Sequence, residues 1–540
     1  MPKKLRIVIA QLNLLVGDIA GNLQKHIEAA NTARDTLKAD IIVFSELSLT
    51  GYPPEDLLLR KSFLDDANHA LHELKSQVRD IHCVVGHPMM VEKNLHNACS
   101  MLYNGTVLGR YAKQHLPNYG VFDERRYFTP GTSHGVIEVH GIPVGIVICE
   151  DLWFSGPALQ AANEGARIIL SPNASPFEIN KDPLRQQVIA KRAKAAKLPI
   201  VYANSLGNQD DIVFDGGSMV IDAEGRICQH AGFFKETLLP FDVEITSTDA
   251  RVQTRDFSLP SPEEKIYDCL VFGVRDYLQK NRFPGALIGL SGGIDSALAL
   301  AIAVDAIGKD HVNAVLMPSR YTADISIEDA IALAKNLGVH YDIISIENTF
   351  KAFLDTLAPQ FGNKKPDITE ENIQARCRGI LLMALSNQTG RIVLNTSNRS
   401  EMAVGYSTLY GDMVGGFAVL KDVPKTLVYQ LAEYRNRISP VIPERIIQRP
   451  PTAELAPNQK DEDSLPPYSV LDPILDFYLN QGFSLDDIVA QGFDRQMVTR
   501  VIKLIHQNEY KRRQAPLGVR INHEAFGRDR RYPVTSGYRK

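Results

Sequence analysis

Short apolar runs alternate with longer helical stretches through the first half of the chain. "IVIAQL" (7–12), "DIIVFSEL" (40–47), "HCVVGHP" (82–88), "NACSMLY" (97–103), "PVGIVICE" (143–150), "ARIILSP" (166–172), "LPIVYANS" (198–205) and "SMVIDAEG" (218–225) have the length and β-rich composition of strands. The pattern predicts a strand-rich α/β domain. Its opening, "MPKKLRIVIAQLNLLVGD", has a basic end and a short apolar run interrupted by Gln11, Asn13 and Asp18. It lacks a small-residue cleavage site, which predicts a buried first strand rather than a signal peptide. From 244 to 265 the chain is polar, without an apolar period, and ends in prolines, as a linker or crossing strap does. Beyond it the order becomes helix, strand, loop, helix, strand: "EEKIYDCLVFGVRDYLQ", "GALIGLSGG", "VNAVLMP", "HYDIISI", "GRIVLNT". Such repeats predict a doubly wound parallel sheet. The expected division is therefore 1–250, a linker at 251–262, and 263–540. The Pro-rich, charged stretch 439–469 has no helix or strand period and is expected to be an extended, mobile loop. The last thirty or so residues are basic and read as a surface tail or part of an anion site.

Composition narrows the class. With 540 residues, roughly two to four domains are expected, each able to bury a core. The 44% hydrophobic and 23% charged residues are those of a soluble globular chain. A net charge of −4 gives no global attraction to nucleic acid or anionic lipid. No apolar run approaches the roughly 20 residues a bilayer requires. The six cysteines are scattered, with no C-x-x-C pair, so a zinc site, redox dithiol or secreted disulfide scaffold is not expected and a reducing, cytoplasmic setting is.

The stretch "GLSGGIDS" resembles a phosphate-binding loop from which the lysine is missing. A Walker loop carries Lys before its Ser, and here Asp295 precedes Ser296. Ser291, Gly292 and Gly293 nevertheless fall at a strand-to-helix turn, where glycines expose amides to an anion and the helix directs its positive end at it. Asp295 could then serve through Mg²⁺ rather than touching phosphate. The plain alternative is a Gly-rich turn with Asp295 and Ser296 as a capping pair. In the first half, Glu46, Lys113 and Cys149 each fall at a predicted strand exit, where a carboxylate, an ammonium and a thiol can converge. Glu46 would take the thiol proton, and Lys113 would favour the thiolate and the oxyanion of an attacked carboxamide. Singly, each has an ordinary reading: a strand-end carboxylate, a solvated cation, a core thiol.

Two resemblances attach to these residues. "LSGGIDS" resembles the pyrophosphate loop of the ATP pyrophosphatases, which cleave ATP between α- and β-phosphates and adenylate a substrate carboxylate or carbonyl. "SELSLTGYPPEDL", "KQHLPNYGVFDE" and "ICEDLW" resemble the surroundings of the Glu-Lys-Cys triad in the nitrilase superfamily, over roughly residues 5 to 245. That resemblance implies an α-β-β-α sandwich with Cys149 on a tight turn and Glu46 as general base. The pairing of the two resembles the glutamine-dependent NAD synthetases. "ENIQARCRGILLMALSN", "LNTSNRSEMAVGYSTLYGDMVGGFAVLKDVPKT", "PPTAELAPNQKDEDSLPPY" and "EYKRRQAPLG" are similar to that family's motifs.

The resemblance implies roles at matching positions. Gly289, Leu290, Ser291, Gly292, Gly293, Ile294, Asp295, Ser296 and Thr396 would contact ATP. Asn372, Glu401 and Lys511 would contact deamido-NAD, and Asp295 and Glu401 would hold Mg²⁺. Tyr119, Ser175 and Lys181 would position L-glutamine, with Glu124 supporting Lys113 and Arg185 as the alternative to Lys181. An acyl-adenylate would capture ammonia delivered along an enclosed path between domains, under a Pro-rich lid near 440–467. The implied partners are small molecules, with neither nucleic acid nor membrane, in a cytoplasmic homo-oligomer. Two other readings stay open here: an amidase fused to an unrelated adenylating ligase, and a nucleic-acid binder using the basic tail from Lys511 to Lys540.

Overall fold

The computed structural model describes residues 3–133, 135–246, 249–362, 365–456, 459 and 461–537. The chain divides into two units, the first ending at Pro260 and the second beginning at Ser261.

The first unit is built on strands that are apolar on both faces. Along Lys3–Gln11, Leu5, Ile7 and Ile9 enter one core while Val8 and Ala10 enter another. Side chains alternate along a strand, so a continuous apolar run serves two layers at once. The inner core lies between two sheets and takes Ile41, Val43, Val144, Ile146, Ile168 and Leu170. Outside the first sheet pack the helices Ile19–Asp35 and Lys61–Gln77, and outside the second Gly156–Asn163 and Lys181–Ala196. The first sheet runs Ala250–Val252, Thr237–Ile245, Lys3–Gln11, Ile41–Val43, His82–Val91, Asn94–Tyr103, Thr106–Ala112. The second runs Ile227–His230, Met219–Ile221, Ile200–Asn204, Ile168–Asn173, Ile142–Ile146, Val136–Val139. The unit is the expected α-β-β-α sandwich. In the polar strap, Ala250–Val252 pairs with Thr237–Ile245, and Ser261 caps the helix Pro262–Lys280 in a reciprocal box with Glu264.

The second unit carries a five-stranded parallel sheet in the order His340–Ile343, Val312–Leu316, Ala286–Gly289, Ile392–Asn395, Phe417–Ala418. The order reverses between Ala286–Gly289 and Ile392–Asn395, and ligands of doubly wound sheets bind at that crevice. The helix after the first of these, Ile294–Ile307, is buried nearly all round. A separate helical core gathers Leu471, Ile474, Val498, Val501, Ile502, Ile505 and Phe526.

Two expectations are corrected. The Pro-rich stretch is not wholly extended: Glu444–Gln448 is helical, pinned by buried Ile442 and Ile446. Pro443 at its N-cap fixes the entry angle without losing a needed donor. Much of the basic end is not a surface tail, although 531–537 is largely exposed and 538–540 lie outside the described residues. Val519 and Ile521 are fully buried, Gly518 bridges to Ala418, and the amides of Ile521 and Asn522 donate to Asp422. Arg520 is buried on Asp529, so part of the positive charge is neutralised inside the fold. Among the described residues no helix is long and apolar enough to cross a membrane.

Candidate active sites

In the first unit four strand exits meet. Glu46 follows Ile41–Val43, Lys113 follows Thr106–Ala112, Cys149 follows Ile142–Ile146 and Ser175 follows Ile168–Asn173. Parallel neighbours leave a sheet at one edge, so the two sheets bring these exits together. The Lys113 Nζ donates to Glu46 Oε1 at 2.6 Å and to Glu124 Oε1 at 2.8 Å, and all three groups are buried. Asn97 Nδ2 donates to Glu46 at 2.6 Å, Tyr52 OH to Glu124 at 2.8 Å, and the Ala174 amide to Glu46 Oε2 at 3.0 Å. Cys149 is 7% exposed and sits at φ 45°, the left-handed backbone of a sharp turn, where it opens the short helix Cys149–Trp153. Such strain in a non-glycine residue marks a functional turn.

The electrostatics follow from this packing. Burial pushes the Cys149 thiol well above its ordinary range, and the Glu46 charge adds to the rise while Lys113 opposes it. Burial alone would lower the Lys113 amine, but Glu124 and Glu46 outweigh it and hold the ammonium charged. Glu124 is raised, chiefly by burial, with the Glu46 charge adding to the rise and Lys113 opposing it. At rest the thiol is therefore protonated beside a carboxylate and a cation. The elbow is fastened by buried Asp151, which accepts from the amides of Gln114, His115 and Ile148 and from Tyr111 OH at 2.8 Å. One carboxylate thus ties the loop after Lys113 to the turn at Cys149.

The remaining residues of this site fall into two groups. Tyr119 is 53% exposed, and its hydroxyl donates to Glu150, the residue after Cys149, at 3.0 and 3.1 Å. Lys181 opens its helix, pairs with Glu178 at 3.0 Å, and its charge acts on Glu150. Ser175 is buried, its amide donating to Asn204 Oδ1 at 2.8 Å. Arg185 lies deeper, 1% exposed, bound to Asp215 at 3.2 Å and to the carbonyls of Ser175 and Pro176. Arg185 therefore shapes the floor that carries Ser175, whereas Lys181 and Tyr119 stand around Glu150.

In the second unit a cavity of about 300 Å³ opens at the switch point. Gly289, Leu290, Ser291, Gly292, Gly293, Ile294, Asp295 and Ser296 line it, facing Thr396 and Glu401. Gly292 has φ +83°, and a Cβ there would lie 2.3 Å from the Ser326 carbonyl oxygen, so only glycine fits. The serine hydroxyls hold the turn: Ser291 Oγ and Ser296 Oγ are 3.0 Å apart, and the Gly293 amide donates to Ser291 Oγ at 3.2 Å. Asp295 accepts from Asn398 Nδ2 at 3.0 Å and is in contact with the Lys425 ammonium, which also reaches Glu401 at 3.2 Å. Burial pushes Glu401 up to about 8 even against the pull of Lys425, with Asp295 adding to the rise. Two carboxylates facing one cavity beside a glycine turn are oxygen donors of the kind Mg²⁺ takes. The Pro-rich stretch supplies Arg449 to Leu455 and Asp461 to the wall, where Arg449 and Glu454 both bond Ser326 Oγ at 2.6 Å. Asn372 and Lys511 do not line the cavity. They brace the segment next to it: Asn372 accepts from Thr408 at 2.7 Å, and Lys511 donates to the carbonyls of Gly405 and Ser407.

Sequence reading missed Tyr52, Asn97, Asp151 and Glu150 in the first site and Asn398, Ser326 and Lys425 in the second. Tyr52, Glu150 and Asp151 lie inside the quoted triad stretches, so proximity in sequence was the available signal. Nothing local distinguishes Asn97 or Ser326, which arrive from other strands and helices.

Fold and sites together define a two-domain enzyme in which a carbon–nitrogen hydrolase precedes a nucleotide-activating ligase. The carbon-nitrogen hydrolase family matches residues 6–251 and the NAD synthase family residues 266–515. The glutamine-dependent NAD(+) synthetase of Acinetobacter baylyi is 48% identical over 99% of both chains, and that of Thermotoga maritima 44% over the whole of both. The solved glutamine-dependent NAD+ synthetase of Acinetobacter baumannii, in complex with ADP, superposes with a TM-score of 0.81 at 46% identity over 99% of both chains. The enzyme of Cytophaga hutchinsonii shares the fold, with a TM-score of 0.86 at 23% identity. The chain belongs to the glutamine-dependent NAD(+) synthetase family.

Proposed function

We propose that the chain converts deamido-NAD, ATP, L-glutamine and water into NAD, AMP, pyrophosphate and L-glutamate. The observation that carries this reading is the pairing, in one chain, of the buried Glu46–Lys113–Cys149 cluster with a lysine-free phosphate loop facing Asp295 and Glu401.

In the glutaminase site, Glu46 removes the Cys149 proton as the thiol attacks the glutamine carboxamide. Lys113 faces the oxyanion and the thiolate, so its charge acts most where negative charge develops. The proton held on Glu46 passes to the departing ammonia, and water, activated by the same carboxylate, resolves the thioester. Tyr119, Ser175 and Lys181 hold the amino-acid end, with Glu124 keeping Lys113 in place. In the ligase site the nicotinate carboxylate attacks the α-phosphate of ATP, and pyrophosphate departs toward the amides of Ser291, Gly292 and Gly293 at the helix start. Asp295 and Glu401 would hold Mg²⁺, which supplies charge neutralisation of the phosphate oxygens when bound. Thr396 contacts the nucleotide, while Asn372, Glu401 and Lys511 serve deamido-NAD. Ammonia then displaces AMP from the adenylate. Only neutral NH₃ is a nucleophile, so the reading carries it to the adenylate along an enclosed path, in a cytoplasmic homo-oligomer. Residues Arg449 to Leu455 close the ligase cavity and keep water from the adenylate.

The defining experiment incubates the enzyme with glutamine, ATP, Mg²⁺ and deamido-NAD. NAD, AMP and pyrophosphate are expected in equal amounts. ADP and orthophosphate instead would overturn the assignment of the loop. A second outcome follows from the turn itself. Gly292→Ala drives a methyl against the Ser326 carbonyl and displaces the loop by a fraction of an ångström or more. Synthesis should fall roughly 100-fold with either glutamine or ammonium, since misplacement on the order of 1 Å costs about that much. Steady-state rates with both donors check it, and glutaminase turnover should persist.

A further inference from the structure

The phosphate loop has no lysine of its own, yet an ammonium stands beside it. Lys425 opens the helix Lys425–Ile438, is 2% exposed, and lines the same cavity. Its root is fixed: its amide donates to Ser400 Oγ at 2.9 Å, and both the amide and the hydroxyl of Thr426 donate to Asp472. The side chain runs inward to a single spot, against Asp295 Oδ2 and 3.2 Å from Glu401 Oε1, with the Tyr468 ring centroid 5.2 Å away. Asp461, from the Pro-rich stretch, is a third acidic group acting on it. These are the oxygens that would take a divalent cation. The ammonium engages Asp295 Oδ2 and Glu401 Oε1 and Asn398 engages Asp295 Oδ1, so a divalent ion approaching these oxygens to about 2.1 Å competes with the ammonium for them.

We infer that Lys425 is the resident cation of the ligase site before nucleotide binds, holding Asp295 and Glu401 until a nucleoside triphosphate arrives. The triphosphate brings the metal with it and offers Lys425 a second set of anionic oxygens at the adjoining turn. The ammonium then moves from the carboxylates to the phosphates as the divalent ion takes its place. Metal and nucleotide therefore bind together, and free metal alone binds poorly. Carboxylates without a countercharge would repel each other and an incoming polyanion, and Lys425 prevents both. It acts as a positioning residue for the metal and a contact for the phosphates. The inference rests on the reading of the loop given above, but its test does not require turnover.

Mn²⁺ binding, followed by the paramagnetic resonance signal of the free ion, separates the possibilities. Without nucleotide, Lys425→Met should bind Mn²⁺ at least tenfold more tightly than the unaltered enzyme, and Lys425→Arg should stay weak. The gain should vanish in Lys425→Met combined with Asp295→Asn. With ATP present the order should invert, Lys425→Met binding ATP at least tenfold more weakly. In the unaltered enzyme, inorganic triphosphate should tighten Mn²⁺ at least tenfold, a result that needs no folded variant. Mn²⁺ affinity unchanged or weakened in Lys425→Met, with a lowered unfolding temperature, would mean a permanent structural ion pair and would overturn the inference. Equal Mn²⁺ affinity of the unaltered enzyme with and without triphosphate would do the same. Failure of the functional reading would appear instead in the product assay, with the Mn²⁺ comparison intact.

Discussion

Cys149→Ala eliminates glutamine-driven synthesis, while ammonium salts still support NAD formation. In the proposed reaction the thiol is the bond-forming atom of the amidohydrolase step, and no other cysteine can replace it, since Cys83, Cys99, Cys228, Cys269 and Cys377 are buried elsewhere. Loss of a nucleophile of this kind costs roughly 10⁴-fold or more in kcat. The fold should tolerate the change: the side chain is small, alanine keeps the turn, and the Glu46–Lys113–Glu124 ion cluster does not depend on the sulfur. A modest shift in unfolding temperature, on the order of the few degrees a 1 kcal/mol change produces, is expected. The measurement is NAD formed with glutamine and, separately, with ammonium chloride at mildly alkaline pH. Loss of both would remove the division of labour between the two sites. Retention of glutamine-driven activity would remove Cys149 from the reaction. An amidase fused to an unrelated ligase predicts no effect of Cys149 on synthesis, so the same assay decides between them.

Asp295→Ala has the opposite signature: synthesis is lost with either nitrogen donor, and glutamine hydrolysis survives. Asp295 is the carboxylate nearest the turn, held by Asn398 and Lys425 in an orientation that the alanine side chain cannot reproduce. In the proposed mechanism, losing one of two carboxylate supports for a metal-assisted phosphate departure removes several kcal/mol of transition-state stabilisation, about 10³-fold or more in rate. The variant also leaves Lys425 facing Glu401 alone, so part of the effect comes from an ammonium that no longer shares two anions. Pyrophosphate release with ammonium as donor is the assay, and thermal unfolding is the control for folding. Near-normal pyrophosphate release would end the metal role assigned to Asp295.

The distribution of what was legible follows the range of the forces involved. Strands buried on two faces announce themselves as unbroken apolar runs, which is why "IVIAQL", "DIIVFSEL" and "PVGIVICE" lie where the sandwich places its strands. The glycine turn was legible because Gly292 needs a positive φ and a backbone approach that no other residue accepts. The triad could be named because each member sits at the end of a strand with distinctive flanks. The helix Glu444–Gln448 was missed because five residues carry too little periodicity to show. The basic end was misread because composition reports charge and not its neutralisation: Arg512 and Arg520 have partners three and nine positions away, and Arg530 joins Arg512 on Glu509 only after the chain folds back.

By itself the amino-acid sequence determined the two α/β architectures, and its resemblance to known families pointed to the proposed phosphate turn and the three proposed groups of the amidohydrolase. The architectures are set by local periodicity and the turn by the steric freedom of glycine, while the three groups stood out only through the flanking stretches that carry the resemblance. Tertiary structure decided which cation answers Asp295, since Lys425 lies 130 positions away along the chain and reaches it only when separate helices pack on one sheet. It decided equally that Arg185 belongs to the floor and Lys181 to the surroundings of Glu150, four residues apart on one helix. Pairing energies of buried charges depend on distance and desolvation in three dimensions, and neither quantity exists along a linear chain.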